Sequence, residues 1–218
     1  MTKQKRLFLL ALPVLLVPST SAVFLGTTSG LGKAPGYWLG FLFYWLFWCL
    51  LVPRLVLGRA GFRSLLSDRT PLFNRQNWLA ALLFLVVTAV TLVMYLASFL
   101  RASWTLILLA VPCATVNGLC EEMLWRGLYV KSFPGNPWLA ILYPCLGFAA
   151  WHFAPQIVFP ASGGTPPFVL STFFLGLAYG FIAYRTGSAK WTAVSHSLNG
   201  ILAVSGMLAP SLLLILQK

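Results

Sequence analysis

Apolar runs long enough to cross a bilayer follow one another along almost the whole chain, separated by short polar or basic breaks. A spanning helix needs about 20 mostly apolar residues. By that measure the pattern predicts passes at residues 7–25, 37–57, 78–100, 102–122 running on towards 130, 138–158, 167–184 and 191–216. The predicted fold is therefore all-α: a polytopic membrane helical bundle of seven transmembrane helices, or eight if the last run is split near Gly206 rather than only kinked there. Prolines 13, 18, 35, 53, 71, 134, 137, 160, 166 and 167 fall mostly near run ends or in connections. The first run, from Lys3-Gln-Lys-Arg6 through Leu7–Val17 to Pro-Ser-Thr-Ser-Ala22, also has the layout of a cleaved signal peptide. It resumes at Ala22, which favours a retained helix. Gly36-Tyr-Trp-Leu-Gly40 and Gly176-Leu-Ala-Tyr-Gly180 are GxxxG matches and predict close helix contact.

Composition agrees with the pattern. Hydrophobic residues make up 59% of the 218, charged residues only 8%, and mean hydropathy is +0.85, where a soluble domain carries about 25% charged residues. The length fits a single integral-membrane domain over residues 1–218. The net charge of +12 does not point to nucleic acid, because the basic residues sit at the ends of apolar runs. The positive-inside rule then places the N-terminus in the cytoplasm, with a prokaryotic cytoplasmic membrane as the expected location. Only Lys33, Arg101 and Lys218 fall on the other side in that arrangement. The basic stretch Arg54–Asn77 reads as a topology-setting cytoplasmic loop or as an interfacial helix drawn to anionic lipid. Cys49, Cys113, Cys120 and Cys145 are scattered without a CxxC pair, so buried free thiols are expected.

Three acidic residues occur in the chain, and two of them, Glu121 and Glu122, lie side by side in apolar sequence. The two histidines, His152 and His196, also lie in apolar runs. Ionisable groups in hydrocarbon cost roughly 3 to above 10 kcal/mol, so they mark function. Glu122 and Arg126, four apart, share a helix face and can form an ion pair. Glu121 points about 100° away and lacks that partner, which suits a general base acting on water. Asn117, four residues earlier, is placed to hydrogen-bond it. Asn199 lies three residues after His196 on nearly the same face, and the two can offer donors to an oxyanion. At 1.5 Å per residue, Glu121 should lie roughly 15 Å, His152 roughly 20 Å and His196 roughly 10 Å from the cytoplasmic connections. On that reckoning the site opens towards the cytoplasm.

Glu121-Glu122-Met-Leu-Trp-Arg126 matches EExxxR, Phe148-Ala-Ala-Trp-His152 matches FxxxH, and His196 opens an HxxxN-like motif. In that order they resemble the CPBP intramembrane proteases, the family of the CAAX prenyl proteases and bacteriocin-processing enzymes, over a core of residues 100–205. The resemblance implies an intramembrane endopeptidase for a membrane-associated peptide or protein substrate. Glu121 and His152 would activate water, Glu122 and Arg126 brace the site, and His196 stabilise the tetrahedral intermediate. The family usually has Asn four residues after the last His. Here Gly200 occupies that position, and Asn199 precedes it. The resemblance also admits zinc, with Glu121, His152 and His196 as its ligands, but HExxH is absent and a metal-free glutamate-type hydrolase is expected. No GxGD or GxSG motif points to another intramembrane protease chemistry. The competing expectation is a non-catalytic membrane protein of the same fold: an immunity factor, scaffold or small transporter. Substrate identity and oligomeric state are not written in the motifs.

Overall fold

The computed structural model describes residues 2–217, which are helical almost throughout and include no strand. Four helices long and apolar enough to cross a membrane come first: α1 Lys3–Leu31, α2 Lys33–Leu66, α3 Arg75–Arg101 and α4 Trp104–Ser132. A shorter helix, α5, covers residues 138–156, and the fifth long one is α6 Thr165–Thr186. Then come α7 Lys190–Leu202 and α8 Leu208–Leu216. Five helices among the described residues thus meet the length and composition of a span. The other two expected passes are pieced together. α5 turns at His152 before its last stretch Phe153–Gln156. The run 191–216 breaks at 203–207, where Val204, Ser205 and Gly206 take φ of 54°, 58° and 52°. Left-handed backbone costs an L-residue about 1–2 kcal/mol, so three in succession end a helix despite the apolar sequence around Gly206.

Proline placement differs from expectation in α1. Pro13 and Pro18 lie well inside this 29-residue helix. A helical proline has no N–H for the carbonyl four residues back, and in hydrocarbon that carbonyl needs another donor. For Pro13 the freed carbonyl is that of Leu9, which accepts the Tyr129 hydroxyl at 2.9 Å. The Tyr143 hydroxyl donates to the neighbouring Leu10 carbonyl. α1 also puts Leu9, Leu12, Leu16 and Phe24 fully inside the main core. The hairpin to α2 is a single residue, Gly32, at φ 86°. It closes so tightly that a Cβ on Gly36 would enter the Thr28 backbone. The second GxxxG pair packs closely too: a Cβ on Gly180 would lie 2.8 Å from Ile141. All four cysteines are free and buried.

Two π-helical turns, Tyr44–Leu51 in α2 and Met123–Leu128 in α4, pack against each other. The hydroxyl of Tyr44 accepts Trp125 Nε1 at 2.8 Å across this contact. π turns are frequent at functional sites, and the second one here runs through the EExxxR motif.

At one end of the bundle lie the start of α1, the stretch after Gly58, residues 131–137 and the α6–α7 turn. The connection before α3 is neither a loose loop nor a free surface helix. Ala189 N donates to Leu65 O at 2.9 Å and Arg69 N to Thr186 O at 2.8 Å. Asp68, the third acid, accepts Trp191 Nε1 at 3.0 Å and the Ser188 hydroxyl. Leu65 is fully buried and packs on Gly127. This stapled floor closes the end of the bundle beneath the EExxxR turn. Outside that turn, every described lysine and arginine except Lys33 and Arg101 belongs to this end.

Candidate active site

The last turns of α4 supply Glu121, Glu122 and Arg126, α5 supplies His152, and α7 supplies His196 and Asn199. All six residues nominated from the sequence gather in one region. Glu122 is fully buried, and its Oε1 lies 2.8 Å from Arg126 Nη1 and 2.9 Å from His196 Nδ1. The expected Glu122–Arg126 pair is present and holds His196 as a third member. The Arg126 guanidinium also lies over the Phe148 ring, 4.0 Å from its centroid, an attraction that grows when desolvated. Only a glycine fits at 176. A Cβ there would lie 2.8 Å from Cys145 Sγ and 3.2 Å from Arg126 Nη2.

Glu121 is bound differently. Its Oε1 accepts Trp151 Nε1 at 2.8 Å, and Trp151 stacks on Tyr44 with ring centroids 3.6 Å apart. Its Oε2 is buried without a hydrogen-bond partner and lies 3.5 Å from His196 Nε2. The two adjacent carboxylates thus divide as the helix geometry predicts: Glu122 is locked in an ion pair with Arg126, whereas Glu121 borders the chamber, although the Oε2 of each is buried without a hydrogen-bond partner. Asn117 does not bind Glu121. Its Oδ1 accepts Trp45 Nε1 at 3.0 Å instead, because the π turn of α2 brings that indole across.

His152 Nδ1 lies 2.7 Å from the Phe148 carbonyl oxygen. A carbonyl only accepts, so Nδ1 carries the proton and Nε2 keeps a lone pair, an assignment made from the partner's chemistry. Asn199 lines the same chamber as His196 and donates to Thr91 Oγ1 at 3.3 Å. Its offset from the family position does not remove it from the site, since positions three and four after His196 flank the same helix face. Position 200 has no room for a longer side chain. A Cβ there would come within 2.8 Å of Ala114 Cβ, where α7 presses on α4.

The sequence reading missed Trp151, Tyr44, Phe148 as the seat of a cation, and Gly176. The available signals were that Trp151 precedes His152 and that Gly176 sits in a GxxxG pair.

Glu121, His152, His196 and Asn199 border a chamber of about 360 Å³ with aromatic walls that include Tyr37, Phe41 and Phe168. From the carboxylate it runs past Ala114 to Ala161 and to a rim formed by Ala203, Ser205, Gly206 and Met207. These residues belong to the end that carries the Gly32 turn, the α3–α4 turn and the 157–164 loop. The expected opening towards the basic connections is therefore corrected. Counting residues gave depth, but the floor built on Leu65 and Asp68 fills that route. A second cavity of about 430 Å³, lined by residues such as Val86, Val90, Met94, Phe174 and Leu175, lies between α3 and α6. Tyr95, His152, Phe168, His196 and Asn199 border both spaces. From Trp78 onward α3 buries only Ala80 and Thr91, and exposes Val93 and Leu100 among many apolar side chains.

Among the described residues no three His, Cys, Asp or Glu side chains gather as a metal site. Glu121, His152 and His196 share the chamber without converging as a ligand set, and both ring nitrogens of His196 face carboxylates.

Residues 102–202 match the family model of the type II CAAX prenyl endopeptidase Rce1-like proteins. No curated protein and no solved structure matches the chain. The matched segment contains all three motifs and bears out the resemblance to the CPBP intramembrane proteases. With five helices long and apolar enough to cross a membrane, the chain reads as an integral membrane protein that is similar over this segment to peptide hydrolases of the CAAX-protease kind.

Proposed function

We propose that the protein is an intramembrane endopeptidase of glutamate type, CAAX-protease-like, that hydrolyses a peptide bond of a membrane-associated peptide or protein. The observation that carries this reading is the free Oε2 of Glu121, in a buried chamber that also holds the His152 imidazole. A water held between Glu121 Oε2 and His152 Nε2 loses a proton to Glu121 as its oxygen attacks the scissile carbonyl carbon. The tetrahedral oxyanion faces His196 and Asn199. Donation from His196 Nε2 requires a proton on both ring nitrogens, with Nδ1–H held by Glu122. Two carboxylates opposite Arg126 and such a His196 leave the cluster without net charge, which favours it in hydrocarbon. Glu121 then returns its proton to the leaving amine, and the carbon–nitrogen bond breaks. The cavity between α3 and α6 lets an apolar part of the substrate stay in the bilayer while the peptide bond reaches the chamber.

Catalysis is assigned in this reading to the chain's own groups, and zinc held by Glu121, His152 and His196 is the alternative that activity in strong chelator separates from it. A non-catalytic role would draw its main support from Gly200, and the close packing on Ala114 accounts for that residue on steric grounds alone. The test compares membranes from cells carrying the wild-type protein and Glu121→Gln. One or more membrane-associated proteins should keep a segment in the variant that is removed in the wild type, while the variant inserts normally. Near-normal processing by Glu121→Gln would remove Glu121 as the base.

A further inference from the structure

The chamber has one open end and one closed end, and the charges of the chain distinguish them. The closed end is stapled by the backbone bonds from Ala189 to Leu65 and from Arg69 to Thr186, with Asp68 tied to Trp191. That is also the basic end. Only Lys33 and Arg101 among the described lysines and arginines lie at the other end, where the rim at Ala203–Met207 and the lining residue Ala161 stand. Basic connections stay in the cytoplasm. Together these observations turn the chamber away from the cytoplasm.

The lining narrows what can enter. Glu121 is the one carboxylate on the chamber wall, and no lysine or arginine joins it there. The cations beside the chamber are already engaged: Arg126 is 2% exposed and held by Glu122 and the Phe148 ring, and both ring nitrogens of His196 face carboxylates. A free C-terminal carboxylate, or an acidic side chain beside the scissile bond, would meet Glu121 and only cations that are already paired with carboxylates. In a low-dielectric chamber such a charge is strongly disfavoured. The walls instead offer aromatic faces and the amides of Asn117, Gln156 and Asn199, which suit an uncharged internal segment.

Building on the proteolytic reading, we infer that the substrate segment enters from the extracytoplasmic face. It is an uncharged internal stretch next to the membrane anchor of a protein exposed on that face, not a chain end presented from the cytoplasm.

Single cysteines at Ser162 and Ser67 mark the open and the closed end, against native cysteines that are all buried. A membrane-impermeant maleimide should label Ser162→Cys in right-side-out vesicles and Ser67→Cys only in inverted ones. The reverse pattern overturns the inference and leaves the protease reading intact, because labelling needs no catalysis. A second arm uses the uncleaved protein that accumulates with Glu121→Gln. Its scissile segment should be digested by protease added to right-side-out vesicles. Digestion only in inverted vesicles overturns the inference. A cysteine at the rim residue Met207, modified by the same maleimide in right-side-out vesicles, should stop cleavage. Full cleavage after complete modification overturns entry by this mouth.

Discussion

The sharpest consequence of the site's geometry is that two adjacent glutamates should fail in opposite ways when changed to glutamine. In Glu121→Gln the amide oxygen can still accept from Trp151, and the new NH2 replaces an Oε2 that has no partner. Folding should be preserved while cleavage is lost. In Glu122→Gln the charge opposite Arg126 disappears. That guanidinium is 2% exposed, and its Nη2 is already without a hydrogen bond. Breaking a buried pair from one side costs about 3–5 kcal/mol, a change of roughly two to four decades in the folding equilibrium constant. At about 2–4 °C per kcal/mol for a chain of this size, the unfolding midpoint in detergent should drop by roughly 10 °C. His196 loses its Nδ1 anchor as well, so the folded fraction of Glu122→Gln should also be slow. The double variant Glu122→Gln/Arg126→Gln removes both charges and should melt higher than Glu122→Gln alone, because it leaves no uncompensated ion. Thermal unfolding in one detergent, beside cleavage of the identified substrate, gives all the numbers. Equal midpoints for Glu121→Gln and Glu122→Gln would refute the division of labour. Failure of the second substitution to restore stability would refute its electrostatic cause.

Other consequences follow from single contacts. Gly176→Ala drives a methyl to 2.8 Å from Cys145 Sγ and 3.2 Å from Arg126 Nη2. It should cost about 1–3 kcal/mol by overpacking and slow cleavage even well below the midpoint, which a rate measured at low temperature will show. His196→Ala should lower the rate about 10²–10³-fold, the usual effect of losing one oxyanion donor. Asn199→Ala should lower it distinctly less, since its amide is engaged with Thr91, and equal losses would make the two residues equal donors. Purified protein should stay active in strong chelator. Zinc bound near one per chain, with activity lost on removal and regained on its return, would instead make Glu121, His152 and His196 ligands.

The candidate site residues were legible because bilayers make them conspicuous. An ionisable group in an apolar run stands out against its background, and Glu121, Glu122, Arg126, His152 and His196 needed no structure to be found. The Glu122–Arg126 pair was legible as well, since four residues on a helix fix a neighbour. The supports were not, because each depends on a partner remote in sequence. Nothing near Pro13 says that Tyr129, more than a hundred residues on, will take the carbonyl that the proline leaves free. Nothing in Tyr44–Leu51 announces a π turn. That turn brings Trp45 to Asn117, and so removes the one hydrogen bond predicted for Glu121 that the structure lacks.

Which way the chamber faces was the least legible property, and the reason is general. Depth along a helix follows from counting residues, and by that count Glu121 is nearer to the basic end. Access depends on which end is filled. Here it is filled by a segment that reads as an ordinary charged connection, Leu65 to Asn77. Leu65, the most ordinary residue in that stretch, is fully buried against Gly127. Asp68, which looks like a solvent-facing acid, binds the turn that leads into the His196 helix. At the other end the apolar run 191–216 promised continuous helix, and the left-handed residues at 204–206 turn it into the rim of the opening. A basic loop that closes and an apolar run that opens reverse the direction inferred from depth alone. The same two features make sided labelling the measurement on which the substrate's location turns.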